Sequence, residues 1–210
     1  MGSSILEKRE RSLEIIRTAL KGAAKPATVL TEESSSIVLL HLLRSVEEGR
    51  LPVAVVEMDA LIVHPQIRVY LEKMKRLWNF TSFREEIDPF LHRIQKASGA
   101  GEVSETWERY LLKAVHRYAI THLFVAVCHG RDAGEAEGGY FSESEGYVQV
   151  NPILHFGEAD VREYMERYGI PLCSLFESAS KRRSREDLLM IEENGEERER
   201  KRKLESLGYF

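Results

Sequence analysis

Three runs of strand-type residues limit what this chain can fold into. Ala27-Thr28-Val29-Leu30, Val53-Ala54-Val55-Val56-Glu57-Met58 and Leu123-Phe124-Val125-Ala126-Val127-Cys128 are apolar almost throughout. A strand with one wet face alternates polar and apolar residues; a strand covered on both faces does not, and that is the habit of a parallel sheet between helical layers. Helical patterns lie between the runs. Ser12 to Ala19 places Leu13, Ile15, Ile16 and Ala19 among charges, and Gly22 and Pro26 end it. Ile37 to Leu43 is a second helix, preceded by serines that suit a helix start. Pro65 suits the first position of a third helix, through Val69, Tyr70, Met74 and Leu77. Ser104 caps a fourth, with Trp107, Tyr110, Leu111, Ala114, Val115 and Tyr118 on one face. Glu158 to Tyr168 is a fifth, stopped by Gly169 with Pro171 beyond. Asn79 to Phe83 and a segment within Tyr147 to Leu154 read as further strands. The alternation predicts an α/β fold with a mainly parallel sheet and right-handed crossovers.

The length of 210 residues allows one full domain and a small appendage. The net charge of −4 argues against a dedicated nucleic-acid binder. No run of 18 apolar residues is present, and the start, Met1-Gly2-Ser3-Ser4, leads into Glu7-Lys8-Arg9-Glu10-Arg11 without an apolar signal core; the expected location is the cytoplasm, away from membranes. Two cysteines, Cys128 and Cys173, exclude a disulfide framework and a four-cysteine zinc or iron–sulfur site within one chain. The seven histidines show no HExxH spacing, and no metal site is expected. Residues 181–205 mix nine basic and eight acidic side chains, the pattern of a solvated helix.

In sheets of this kind ligands sit beyond the carboxyl ends of the strands. That directs attention to the loops at Thr31–Ser36, Asp59–His64 and His129–Glu135.

The stretch Val29-Leu30-Thr31-Glu32-Glu33-Ser34-Ser35-Ser36-Ile37-Val38-Leu39-Leu40-His41-Leu42 resembles the PP-loop region of the phosphoadenosine phosphosulfate (PAPS) reductase family. Thr31 stands at the first serine of the family pattern and Ser36 at the last, while Val38, Leu40, His41 and Leu42 match its V-x-L-H-L helix. Asp59 resembles the acidic strand end of the family. Arg131 and Asp132 are what remains of its G-x-R-R-[DE] block. Pro152 to Pro171 is similar to P-[IL]-x-x-W-x-x-x-D-[IV] followed by R-x-[GN]-[IL]-P, and Lys181-Arg182-Arg183-Ser184 lies where the family has G-Y-R-S.

The resemblance implies a Rossmann-like three-layer sandwich of the adenine nucleotide alpha hydrolase type. It implies a nucleotide-binding domain over residues 12–176, with a charged, mostly helical extension over 177–210. The nucleotide-binding residues it implies are Thr31, Ser34, Ser35, Ser36, Asp59, Arg131, Asp132 and Arg183. The ligand would be ATP or another adenine nucleotide or sulfonucleotide, with magnesium and without zinc or an iron–sulfur cluster.

The loop departs from the family pattern. It has no glycine to bring backbone amides onto a pyrophosphate and no lysine to balance its charge, and it carries Glu32 and Glu33 instead. Two carboxylates beside a polyphosphate repel it unless a divalent metal intervenes, although the serine hydroxyls and the helix start still favour an anion. The reductase reaction uses a cysteine on a C-terminal segment; the tail Glu205-Ser206-Leu207-Gly208-Tyr209-Phe210 has none, which disfavours sulfonucleotide reduction. Two readings stay open: nucleotidyl transfer like that of the sulfate adenylyltransferase small subunit, and a non-catalytic partner or scaffold subunit, paired with another protein or with a second copy.

Overall fold

A computed structural model describes residues 3–31, 33–59, 65–86, 110–128 and 139–173; at 58, 59, 65 and 84–86 the description is of the backbone alone. The chain divides into two units, Met1–Pro171 and Leu172–Phe210, and the fold below is that of the first.

Helix α1 (Ile5–Gly22) starts earlier than its apolar stripe. Ser4 and Glu7 form a capping box: Ser4 Oγ accepts from the Glu7 amide at 3.3 Å, and the Glu7 carboxylate accepts from the Ser4 amide at 2.8 Å. Two otherwise orphan amides are thereby satisfied, so helix geometry extends upstream of Ser12. There follow β1 (Pro26–Leu30), α2 (Ser34–Val46), β2 (Ala54–Asp59), α3 (Pro65–Trp78) and β3 (Ser82–Glu86). The described part of α4 covers residues 110–118. Then come β4 (His122–Phe124), β5 (Phe141–Ser144), β6 (Tyr147–Val150) and α5 (Glu158–Arg167).

The six strands lie in the order β3-β2-β1-β4-β6-β5. Every pairing is parallel except β5 with β6. The three apolar runs are therefore neighbours, β2-β1-β4, at the centre of the sheet. Ala27 pairs with Ala54 on one side and with Leu123 on the other. One face of the sheet (Ala27, Val29, Val56, Leu123) packs on Tyr110, Leu111, Ala114 and Val115 of α4. Helices α1, α2 and α5 pack on one another, and α2 on β1. Ile37 to Leu40, Leu42 and Leu43 of α2 are wholly buried. The result is a Rossmann-like three-layer sandwich. No described helix is long and apolar enough to cross a membrane.

Three elements differ from the sequence expectation. β3 starts at Ser82 rather than Asn79, because Asn79 turns the chain at φ 49° as α3 ends. The run from Leu123 to Cys128 is ladder only as far as Phe124: Val125 still donates to the Val150 carbonyl at 2.9 Å, but β6 stops there and 152–155 turn away. β5, an exposed strand joined to β6 through Glu145-Gly146 (φ 82°), has no apolar signature to announce it. By contrast α5 ends as expected. Gly169 at φ 61° donates to Glu166 O (3.2 Å) and Ile170 to Met165 O (2.9 Å), the paired bonds of a Schellman stop.

Candidate functional site

β1 is where the strand order reverses, since its two parallel neighbours, β2 and β4, leave the chain in opposite directions. The crevice at such a point, beyond the carboxyl ends of the strands, is where open α/β sheets hold ligands. The loop from Thr31 and the first turn of α2 stand at this edge.

The local geometry follows from Ser36. Its buried Oγ lies 2.9 Å from the Thr31 carbonyl and 2.8 Å from that of Glu33, and its amide donates to Glu33 O at 3.1 Å. The Glu33 amide in turn donates to Thr31 Oγ1 at 3.3 Å. These bonds close a tight turn without a glycine. Helix geometry begins at Ser34, three residues before the apolar run that starts at Ile37, with Glu33 as N-cap. Glu33 makes no side-chain capping bond, so the serines do not cap the helix as the sequence suggested. The amides of Ser34 and Ser35 are left among the orphan donors of a helix start, where the peptide dipoles concentrate partial positive charge. Ser35 Oγ is 3.5 Å from a Glu33 carboxylate oxygen. An anion here would meet two amides and the Ser34 hydroxyl, with the Glu33 carboxylate opposing it.

Thr31, Ser34, Ser35 and Ser36 are thus brought together at one end of β1. Asp59 is the last residue of β2, on the same edge and one strand away. Glu32, Arg131, Asp132 and Arg183 lie outside the described residues, as does the loop at His129–Glu135. Among the described residues no group of three or more His, Cys, Asp or Glu side chains could hold a metal ion. Cys128 and Cys173 are both buried, and neither is part of a disulfide among the described residues.

His41, which the sequence reading noted only as part of the apolar helix pattern, is placed away from this edge. Its Nδ1 shares a 2.9 Å hydrogen bond with Tyr164 Oη, and its ring contacts those of Trp78, Tyr164 and Tyr168 at 5.4–5.8 Å between centroids. Burial, with Arg44 and Arg9 nearby, lowers its pKa to about 4, and burial raises that of Tyr164. The pair is a neutral rivet between α2 and α5. The helix spacing of His41 gave no signal of this, since its hydrogen-bond partner Tyr164 is 123 residues away in sequence. A second rivet fixes β2 to α3. Lys75 Nζ lies 2.5 Å from the buried Glu57 carboxylate and 2.8 Å from Glu72, while Ser82 Oγ donates to Glu57 at 2.8 Å. Burial depresses the ammonium, but the bonds to Glu57 and Glu72 outweigh it and raise the Lys75 pKa.

The family model described as the phosphoadenosine phosphosulfate reductase domain matches residues 27–208. No curated protein matches the sequence. Among solved structures, the PAPS reductase of Candida auris, a phosphate complex, aligns over 85% of this chain and 94% of its own, with a TM-score of 0.61 and 14% identity. The FMN adenylyltransferase of Candida glabrata in complex with ATP aligns over 82% of this chain and 60% of its own, at TM-score 0.58 and 14% identity. The U34-tRNA thiolase NcsA of Methanococcus maripaludis, with its 4Fe-4S cluster, covers 81% and 66%, at 0.62 and 14%. At such identities the likeness is one of fold.

Proposed function

The chain belongs to the phosphoadenosine phosphosulfate reductase domain family, and from that premise we propose that it binds an adenine nucleotide at the carboxyl edge of its sheet. The observation that carries this reading is the first turn of α2. It stands at the switch point of the sheet, with the Ser34 and Ser35 amides open to an anion and the turn before it closed by Ser36. The phosphates would lie over that turn, with Thr31, Ser34 and Ser35 around them. Asp59 ends β2 on the same edge and is assigned to the ribose or to a magnesium ion that enters with the nucleotide. Arg131 and Asp132 complete the proposed set, within a nucleotide-binding domain of residues 12–176. The fold neighbours support the ligand class: one is described with ATP and another with phosphate.

A second reading rests on Glu33. A carboxylate at the N-cap opposes a polyphosphate, and the loop supplies no compensating lysine. That favours a weak nucleotide binder acting as a non-catalytic partner subunit over a nucleotidyltransferase. A thermal-shift scan of the full chain with ATP, adenylyl sulfate, PAPS and FMN, each with and without magnesium, tests both. Stabilisation by an adenine nucleotide that needs magnesium supports the site as drawn. No shift with any of them at about 5 mM, a concentration that detects millimolar affinity, removes it.

A further inference from the structure

A groove of about 550 Å³ opens at the opposite, amino-terminal edge of the sheet, where α2 and α3 end and β2 and β3 begin. Helix α2, of 13 residues, separates it from the Ser34 turn by about 20 Å. Leu51, Leu77, Trp78 and Phe83 share its walls with the polar Asn79 and Thr81. Leu77 and Phe83 are 57% and 51% exposed, so this edge leaves large apolar side chains in water.

Two arginines line the groove and no carboxylate does. Arg44 is held in place. Its Nε donates to the Gly49 carbonyl at 3.0 Å, the Gly49 amide donates back to the Arg44 carbonyl at 2.9 Å, and its guanidinium lies 5.1 Å from the Trp78 ring centroid. The tight turn that makes this possible has φ of 45° at Glu48 and 92° at Gly49, closed by the Arg50 amide on Glu47 O. The same turn presents Arg50. Neither guanidinium has an acidic partner among the described residues. A fixed guanidinium, a second one beside it and an aromatic wall together suit a carboxylate carried next to an apolar group. The carboxyl ends of α2 and α3 bring partial negative charge to the same edge, which disfavours a dianionic phosphate relative to a single carboxylate.

We infer that this groove is the docking site for a segment of a partner protein that presents a glutamate or aspartate beside aromatic or aliphatic side chains. The exposed Leu77 and Phe83 at the rim favour a peptide over a small acid, since only a peptide covers them as well as the arginines. Docking there leaves the Ser34 turn open, so a partner and a nucleotide bind together.

The test is fluorescence anisotropy of the full chain with a labelled, end-blocked hexapeptide, Gly-Phe-Glu-Gln-Phe-Gly, against its twin with glutamine in place of the glutamate. The glutamate peptide should bind, and the glutamine twin about tenfold more weakly, as one lost charge-assisted contact implies. Arg50→Gln, on an exposed residue that the fold does not need, should weaken the glutamate peptide about tenfold at unchanged melting temperature. Arg44→Gln, read beside its own melting curve, should do the same. Equal binding of the two peptides, an Arg50→Gln variant as good as wild type, or no binding at about 1 mM overturns the inference. Benzoate competing as tightly as the peptide overturns it in favour of a small-molecule site. Sedimentation showing that the groove variant abolishes a homodimer overturns it in favour of a second copy.

Discussion

Replacing Ser36 by alanine separates a hydroxyl that shapes the loop from one that would grip a phosphate. Ser36 is buried, and its single proton is shared between the Thr31 and Glu33 carbonyls at 2.9 and 2.8 Å. A neutral hydrogen bond is worth about 1 kcal/mol net, and a buried acceptor left without a donor costs about 1–3 kcal/mol. One proton serves both carbonyls here, and the edge of the loop is wet, so the expected loss is about 1–2 kcal/mol. Urea unfolding of Ser36→Ala should show that loss as a lower midpoint at unchanged slope. Nucleotide affinity should fall with it, because the Ser34 and Ser35 amides are aimed by the same turn. Ser34→Ala is the control: its hydroxyl holds no bond among the described residues, so stability should stay within about 0.5 kcal/mol while nucleotide binding weakens several-fold. If Ser36→Ala is as stable as wild type yet loses nucleotide binding, Ser36 is a ligand and the loop is held by something else.

Other outcomes follow from the two rivets and the acidic loop. The folded-state pKa of His41 is depressed to about 4, so the neutral ring stabilises fully above the ordinary value of 6.5 and that stabilisation is lost as the pH falls from there towards 4. Between pH 7 and pH 5 the linkage is about 2 kcal/mol, or about 1 kcal/mol after allowing for the exposed part of the ring; denaturation curves of His41→Asn should be flatter over that range, and parallel curves would contradict the assignment. Glu57→Gln leaves the Lys75 ammonium largely buried with only Glu72, and unfolding should register a loss of about 2–3 kcal/mol. Replacing Glu32 and Glu33 together by glycine should tighten ATP binding, by about thirtyfold if each carboxylate costs on the order of 1 kcal/mol, most clearly at low salt; calorimetry showing no gain would mean that the loop charge is not what limits affinity.

Much of the fold was legible because burial on both faces leaves a plain mark. β1 and β2 are nearly pure apolar runs, and their partners follow once a parallel sheet is assumed. Gly169 and Pro171 placed the end of α5, because a left-handed stop favours glycine. The extension of α1 was also present in Ser4-Ile5-Leu6-Glu7, a capping-box spacing that the charged surroundings obscured. β5 was not legible: its outward residues are serine and glutamate, and only its pairing with β6 makes it a strand. The candidate site was legible as a place, through Thr31, the three serines and Asp59, but not as a mechanism. No sequence pattern says that Ser36 turns inward to close the loop, or that Glu33 and not a serine takes the N-cap. The arginine groove is further from reach, since Arg44 and Arg50 come to line one groove with Trp78 and Phe83 only when the ends of α2 and α3 meet the starts of β2 and β3.

Amide chemical-shift mapping of the full chain during titration with ATP and magnesium reads out whether an adenine nucleotide binds at the carboxyl edge of the sheet. Binding there should give saturable shifts at Thr31 and at Glu33 to Ser36, continuing to the end of β2 at Asp59, with the groove at Arg44 to Val55 and Trp78 to Phe83 unmoved. Shifts confined to that groove, or none at any nucleotide concentration, would contradict it.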